Sequence, residues 1–359
     1  MRCGDAGAAI SRVNDMEFWS GVQDPAWDRA QEELASAGVT DGLPVVPPTR
    51  ERVEAMLKAA RVEARTVIAS LPPGYAEVTW HDVAVNAVMA GCRSSYLSVV
   101  GAAIEAMAAP EFNLLGIATT TGSATVCVIV NGPIVGELAL NGGANAFGPG
   151  NRGNATIGRA VRLTLQNVGG ARPGEIDMAT LGQPAKYTFC FAENEAESPW
   201  TPLHVDRGFS REASVVTVVG ISGTIEIVDS ESRTGADLAQ TFAESMLIAG
   251  NVGSAGLLGG GEPLVVMPPE HADVFQRDGY SKAHVRQALY ERALLPIDKL
   301  ASGLRERAAA SGGAPDGFLR IAHAPEDVMI VVAGGVGRKA AYVPTWSGTT
   351  RAVSRMVGC

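Results

Sequence analysis

The chain has 359 residues, 46% hydrophobic and 19% charged, a composition that suits one large or two ordinary globular domains and excludes an intrinsically disordered chain. A formal net charge of −9 excludes non-specific nucleic-acid binding, which needs a basic face. There is no apolar run of about 18 residues to cross a membrane, the early acids of the N-terminal stretch do not fit a signal peptide, and five scattered cysteines without a CxxC pair exclude a disulfide scaffold or zinc knuckle, so a cytoplasmic protein is expected.

Residues 1–40 read as a helical lead-in. Its helix opens at Asp24-Pro25, shows Trp27, Ala30, Leu34 and Ala35 on one face and stops at Gly38. Leu43–Val46 reads as a short strand, and Thr49 caps a helix over Arg50–Ala60. Thr66–Leu71 is a second strand, closed by Pro72-Pro73-Gly74. Two helices follow over residues 79–109, broken at Gly91-Cys92-Arg93, with Thr79 as the first cap. Leu114–Thr119 and Ala124–Val130 read as strands, the second apolar enough for the centre of a parallel sheet. After a short helix or turn at Ile134–Leu140 comes a loop rich in glycine and asparagine, then a helix over Ala155–Val168. Lys186–Ala192, Ser214–Gly220 and Gly223–Val228 are expected strands, and a helix runs from Thr234-Gly235 to about Ala249. A second glycine cluster, GNVGSAGLLGGGEP, leads into strand Leu264–Met267 and helices Glu270–Gln276 and Ser281–Ala293. Residues 302–317 read as an exposed loop, and Val328–Ala333 and Ala340–Val343 as the last strands.

This order predicts an α/β fold with a largely parallel sheet and helices on both faces. The domains are 1–40, a first α/β domain over 41–230 and a second α/β half over 231–359. One succession of elements occurs twice: helix, glycine turn, apolar strand (Val126–Val130 or Leu264–Met267), a proline-started short helix, then a longer helix. It points to a pseudo-twofold internal repeat, although successive βα units resemble one another in any case.

The stretch 141–159, NGGANAFGPGNRGNATIGR, concentrates the candidate chemistry. A loop so poor in side-chain bulk lets peptide N–H groups converge on an anion, with a helix N-terminus behind it. Asn145, Gly148, Gly150, Asn151, Arg152, Asn154 and Arg159 are therefore candidate binding residues for a carboxylate or phosphate. The pattern is not GxxxxGK[ST], and GPGNRGN is only a loose relative of the dinucleotide fingerprint GxGxxG; a long connecting turn would also use asparagines tolerant of left-handed backbone. Gly334, Gly335 and Arg338, in GGVGRK at a strand end, form a second candidate anion nest.

Cys92 precedes a helix start and stands beside Arg93, a setting that favours a thiolate nucleophile or redox group; the alternative is a small buried cysteine at a helix junction. His81, next to Asp82, is a candidate general base, although adjacent helical residues point apart. The run TFCFAENEAESPWTPLHVDRGF gathers Cys190, Glu193, Glu195 and His204, with the glutamates as acid/base groups or, with His204, as metal ligands; an acidic surface loop would look the same. His271 and His284 read as surface residues.

The segments TDGLPVVPPT (40–49), VAVNAVMAGC (83–92), NGGANAFGPGNRGNATIGRA (141–160), LGQPAKYTFCFAENE (181–195) and VVAGGVGRK (331–339) resemble a bacterial protein family loosely associated with thioredoxin-like and UGSC-motif (selenocysteine/cysteine) proteins. The resemblance implies that Cys92 and the 141–154 loop are the distinctive parts; the chain itself has no UGSC or CGSC tetrapeptide. The expected function is a small-molecule enzyme that binds an anionic substrate at the Gly/Asn loop and uses a cysteine thiolate. The alternatives are a cofactor-free or metal-assisted lyase or hydrolase using Glu193 or Glu195 with His204, and a non-catalytic binding subunit. No particular cofactor and no dedicated metal site are indicated. The expected partners are the small-molecule substrate and either a second copy of the chain or a partner subunit, with no nucleic acid and no membrane.

Overall fold

The computed structural model describes residues 25–248, 250, 261–310, 314, 316–346 and 350–358. The glycine cluster ahead of Leu264 falls almost wholly outside them. The chain divides into two units, Met1–Pro47 and Pro48–Cys359. In the first, helix α1 (Pro25–Ser36) matches the expected lead-in helix. The expected strand at 43–46 forms no ladder: both backbone groups of Val45 bond instead to the side-chain amide of Gln31, which stands in for a strand partner.

The second unit opens with α2 (Arg50–Ala60) and the hairpin β1 (Val67–Leu71) and β2 (Ala76–Thr79). Helix α3 (Trp80–Ala90) is entered through a capping box, in which the Thr79 hydroxyl accepts from Asp82 N and Asp82 accepts from Thr79 N at 2.9 Å. Helix α4 (Leu97–Met107) follows a 3-10 turn. Leu114–Thr119, expected as a strand, is the short helix α5; the Asn113 side chain caps it by accepting from Gly116 N, and an apolar run this short carries no period to mark it as helix.

Two four-stranded mixed sheets form the body. The first has the order β12–β5–β3–β4, with β3 (Thr125–Asn131), β4 (Cys190–Ala192), β5 (Val215–Ile221) and β12 (Val353–Met356). The second has the order β10–β7–β11–β6, with β6 (Ile225–Val228), β7 (Leu264–Met267), β10 (Met329–Val332) and β11 (Lys339–Val343). Only β3–β4 and β7–β10 pair in parallel; the other pairings are antiparallel, so the sheets are not largely parallel. A small hairpin joins β8 (Leu294–Pro296) and β9 (Phe318–Arg320).

The registers of the two sheets run in step. One rung reads Cys190–Val128–Val218–Val353, and its counterpart reads Ile330–Val265–Tyr342–Ile225. In each sheet the fourth strand comes from the other half of the chain: β6 leaves β5 to join β11, and β12 leaves β11 to join β5. Where the halves cross, Ile221 bridges Thr345, Ser222 N donates to Pro344 O and Trp346 N donates to Gly220 O, both at 2.8 Å.

Alternation along the strands explains the layers. Cys127, Ile129, Phe191 and Val219 of the first sheet pack with Leu264, Val266, Val331 and Val343 of the second in one dry cluster. The opposite residues Val265, Met267, Ile330 and Tyr342 pack against α9 (Gly235–Ser245), α10 (Pro269–Arg277) and α11 (Lys282–Arg292). On the first sheet, α4 packs on β5 and β12, the short helix α6 (Ile134–Glu137) on β3, and α7 (Arg152–Asn167) on β3 and β4. Each sheet thus has helices on one face and the other sheet on the opposite face, not helices on both. A division at residue 230 is crossed by two exchanged strands, and residues 48–359 hold together as one unit. Residues 302–310, expected as loop, are helix α12. Among the described residues no helix is long and apolar enough to cross a membrane.

Candidate functional site

The parallel pair β3–β4 brings Asn131 and the Glu193–Glu195 segment to one edge of the first sheet. The wholly buried Asn131 side chain donates through Nδ2 to both glutamates, at 2.6 Å to Glu193 Oε2 and 3.0 Å to Glu195 Oε1. Glu195 Oε1 also accepts from Gly132 N at 2.7 Å. Gly132 has a φ of +84°, and a Cβ there would stand 2.1 Å from Ala213 O, so only glycine fits this turn. Glu193 Oε2 accepts a further hydrogen bond from Leu203 N at 2.8 Å, and its Oε1 is buried without a partner among the described residues.

Burial pushes the Glu193 carboxyl above its ordinary range, despite the opposing pull of the Lys282 ammonium, Leu203 N–H and the Asn131 amide. Lys282 is itself held by Asp206 Oδ2 at 2.7 Å and by Thr201 O at 2.9 Å, which ties α11 to the short helix α8 (Leu203–Asp206). His204, on α8 and fully buried, places Nδ1 3.8 Å from Glu195 Oε1 and Nε2 3.3 Å from Arg211 O. Among the described residues its Nδ1 has no hydrogen-bond partner, nor has Asn131 Oδ1. Among the described residues no three His, Cys, Asp or Glu side chains are grouped to hold a metal ion.

This cluster forms one wall of a cleft of about 670 Å³, lined also by Pro133, Leu140, Gly142 and Arg211. The Glu195 side chain is 23% exposed. Arg211 stands exposed, and among the described residues no hydrogen bond or ion pair holds its guanidinium. Asn131 and Arg211 were not legible as site residues. Asn131 reads as the end of an apolar strand and Arg211 as one charge in a polar loop; only the fold brings them beside Glu195.

The Gly/Asn loop borders the same cleft through Asn141, Gly142 and Gly143, but its polar side chains are occupied in holding the loop itself. Asn154 is buried, accepts from Asn141 N and donates to the carbonyls of Asn141 and Ala146. Asn151 caps α7 by accepting from Asn154 N and donates to Ala139 O, so the helix begins three residues earlier than expected and takes Arg152, Gly153 and Asn154 into its first turn. Asn145, at a φ of +61°, donates to Pro149 O; Gly148 packs on the Asn145 side chain and Gly150 has a φ of +115°. Arg152 binds Gly91 O through Nε at 3.0 Å and a terminal nitrogen at 2.8 Å, closing the C-terminus of α3 rather than facing the loop. Arg159 acts electrostatically on Cys92 and lines none of the clefts beside the loop.

Cys92 is not in the setting of a thiolate. Its thiol is buried, donates to Thr156 O at 3.3 Å and is pushed up to about 12 by desolvation, which outweighs Thr156, Arg152 and Arg159. Cys190 and Cys127 are likewise buried, with thiols raised by burial. His81, its side chain 57% exposed, stands at the N-terminus of α3 and lines none of these clefts. In the second glycine nest, Gly334 N donates to Gly142 O, Gly335 lies against Ala144, and Arg338 donates to Ser230 O and Ser232 O. The nearest carboxylate to Arg338 is Glu270 at 3.9 Å, so this nest is filled by the protein's own groups. His284 is exposed as expected. His271 is instead fully buried, its Nε2 2.9 Å from Asp229 O, because α10 packs that face onto Phe242.

Comparison with family models, with curated proteins and with solved structures finds no match to this chain.

Proposed function

We propose that the cleft of about 670 Å³ is the active site of an acid–base enzyme, a lyase or hydrolase, acting on a small anionic molecule. The observation that carries the reading is one asparagine amide shared between a buried and a cleft-facing carboxylate. Glu195 takes the proton from substrate or delivers it. Arg211 anchors the substrate's carboxylate or phosphate. Glu193 and Asn131 are positioning residues: together with Gly132 N they hold Glu195 Oε1 in one orientation. Two carboxyl groups kept in different environments are the usual basis for distinct acid and base roles. The setting we propose is cytoplasmic.

The test is a panel of small carboxylates and phosphate esters, screened by thermal stabilisation and then for turnover. Arg211→Ala should abolish the stabilisation. Glu195→Gln should keep it while turnover falls by about 10²–10⁴-fold, the usual contribution of a positioned acid or base. Turnover in Glu195→Gln at the wild-type rate would sink the proposal.

We also infer that the two sheets are copies of one unit that have exchanged their fourth strands. The matching rungs and the self-paired crossing at Ile221–Thr345 support this reading.

A further inference from the structure

A second hollow opens on the other side of the Gly/Asn loop and shares no lining residue with the cleft around Glu195. It consists of two adjoining cavities, or lobes, whose walls share Phe147, Gly148 and Thr224. The lobe of about 420 Å³ is apolar, walled by Phe147, Pro149, Pro184, Ala185 and Phe189. Phe147 is 38% exposed and packs edge-on to Phe189 at 5.0 Å and tilted against Phe191 at 4.8 Å, so its ring stands as an aromatic partition at the rim. The lobe of about 340 Å³ is floored by Val266, Ala333 and Ala341 and carries two charges, Glu226 and Lys339.

Those charges are placed by the ladder. Lys339 is paired with Val228 and Ala341 with Glu226, so Glu226 and Lys339 are diagonal neighbours on one face of β6–β11. Such positions lie roughly 7–8 Å apart. Both side chains are exposed, and neither has an ion pair with the other or with any described residue. Two opposite charges that form no ion pair with each other beside an apolar floor suit a ligand that brings the complementary pair. An α-amino acid head group does so, its carboxylate to Lys339 and its ammonium to Glu226. The apolar lobe beyond Thr224 then takes an apolar or aromatic side chain, for which ring-on-ring contact with Phe147 and Phe189 is favourable.

We propose that this groove is a binding site for a free α-amino acid with an apolar side chain. The claim is independent of the reading of the Glu195 cleft, and its test is built to keep the two apart. Titration calorimetry on the full chain uses L-phenylalanine, L-leucine, 3-phenylpropionate, which lacks the ammonium, and 2-phenylethylamine, which lacks the carboxylate. The amino acids are expected to bind, and each truncated analogue to bind about tenfold more weakly or worse, since each loses one charge-assisted contact. Lys339→Met and Glu226→Gln should weaken L-phenylalanine by a similar factor. Thr224→Trp, at an exposed position in the wall the lobes share, should abolish binding, whereas Arg211→Ala should leave it unchanged. Failure of both amino acids to bind the wild type, undiminished binding in Thr224→Trp, or 3-phenylpropionate binding as well as L-phenylalanine would each overturn the assignment.

Discussion

A carboxyl group buried as Glu193 is makes stability depend on pH with a definite sign. Its native pKa lies above the unfolded value, so the native state holds the proton longer. The contribution is full below about pH 4, the unfolded carboxylate value, and declines as pH rises through the native one, by about 1.4 kcal/mol per unit of elevation. Glu193→Gln lacks this proton. Its melting temperature relative to wild type should therefore improve from about pH 4 to about pH 7; parallel curves would show that Glu193 ionises in the fold as it does unfolded. Cys92 makes a contrasting case: with its thiol near 12 and hydrogen-bonded to Thr156 O, alkylation of the native protein at about pH 8 should label it about two orders of magnitude more slowly than in the unfolded chain. Equal labelling, read by peptide mass, would restore the thiolate. Gly132 is the residue on which the site geometry turns, since a Cβ there meets Ala213 O. Gly132→Ala should cost about 2–4 kcal/mol in urea unfolding, mainly by displacing the backbone N–H that holds Glu195.

Among the elements, the Gly/Asn loop is stapled by one side chain. Asn154 satisfies three backbone groups, at Asn141 N, Asn141 O and Ala146 O. Asn154→Leu keeps the branched outline but leaves those groups unpaired, and should cost about 3 kcal/mol or more. Hydrogen exchange over residues 141–148 should rise with it; unchanged protection there would mean that the loop is held elsewhere. The same element shows what the sequence made legible. Caps and periodicity located α2, α3 and the break at Gly91, because Thr49, Thr79 and Gly91 act through their own neighbours. Asparagines at 141, 145, 151 and 154 marked an unusual loop correctly, but whether they face a ligand or one another depends on long-range packing. Glu193, Glu195 and His204 were within reach as a group because one short segment carries them. Asn131 joined them through the β3–β4 pairing, a contact between residues 62 and 64 positions apart that local pattern does not encode. Strand β12 escaped notice because only its pairing with β5 makes it a strand.

For the whole molecule, the exchanged strands mean that neither half closes its own sheet. Residues 353–356 complete the first sheet although they follow the last strand of the second, and Ser354 is tied there to Arg207 Nε at 2.7 Å and to Thr217 Oγ1 at 2.8 Å. A chain ending at residue 351 should therefore lose cooperative unfolding in guanidinium and not merely fray; a sharp transition at the wild-type midpoint would show β12 to be dispensable. The link that sends β6 across is only Ser222, Gly223 and Thr224, between strands ending at Ile221 and starting at Ile225. A molecule that trades strands within itself across so short a hinge stands one deletion away from trading them with its neighbour. Removing Gly223 leaves too little tether for β6 to cross at home but enough to reach a second copy, and intertwined pairs on gel filtration would be the mark of it.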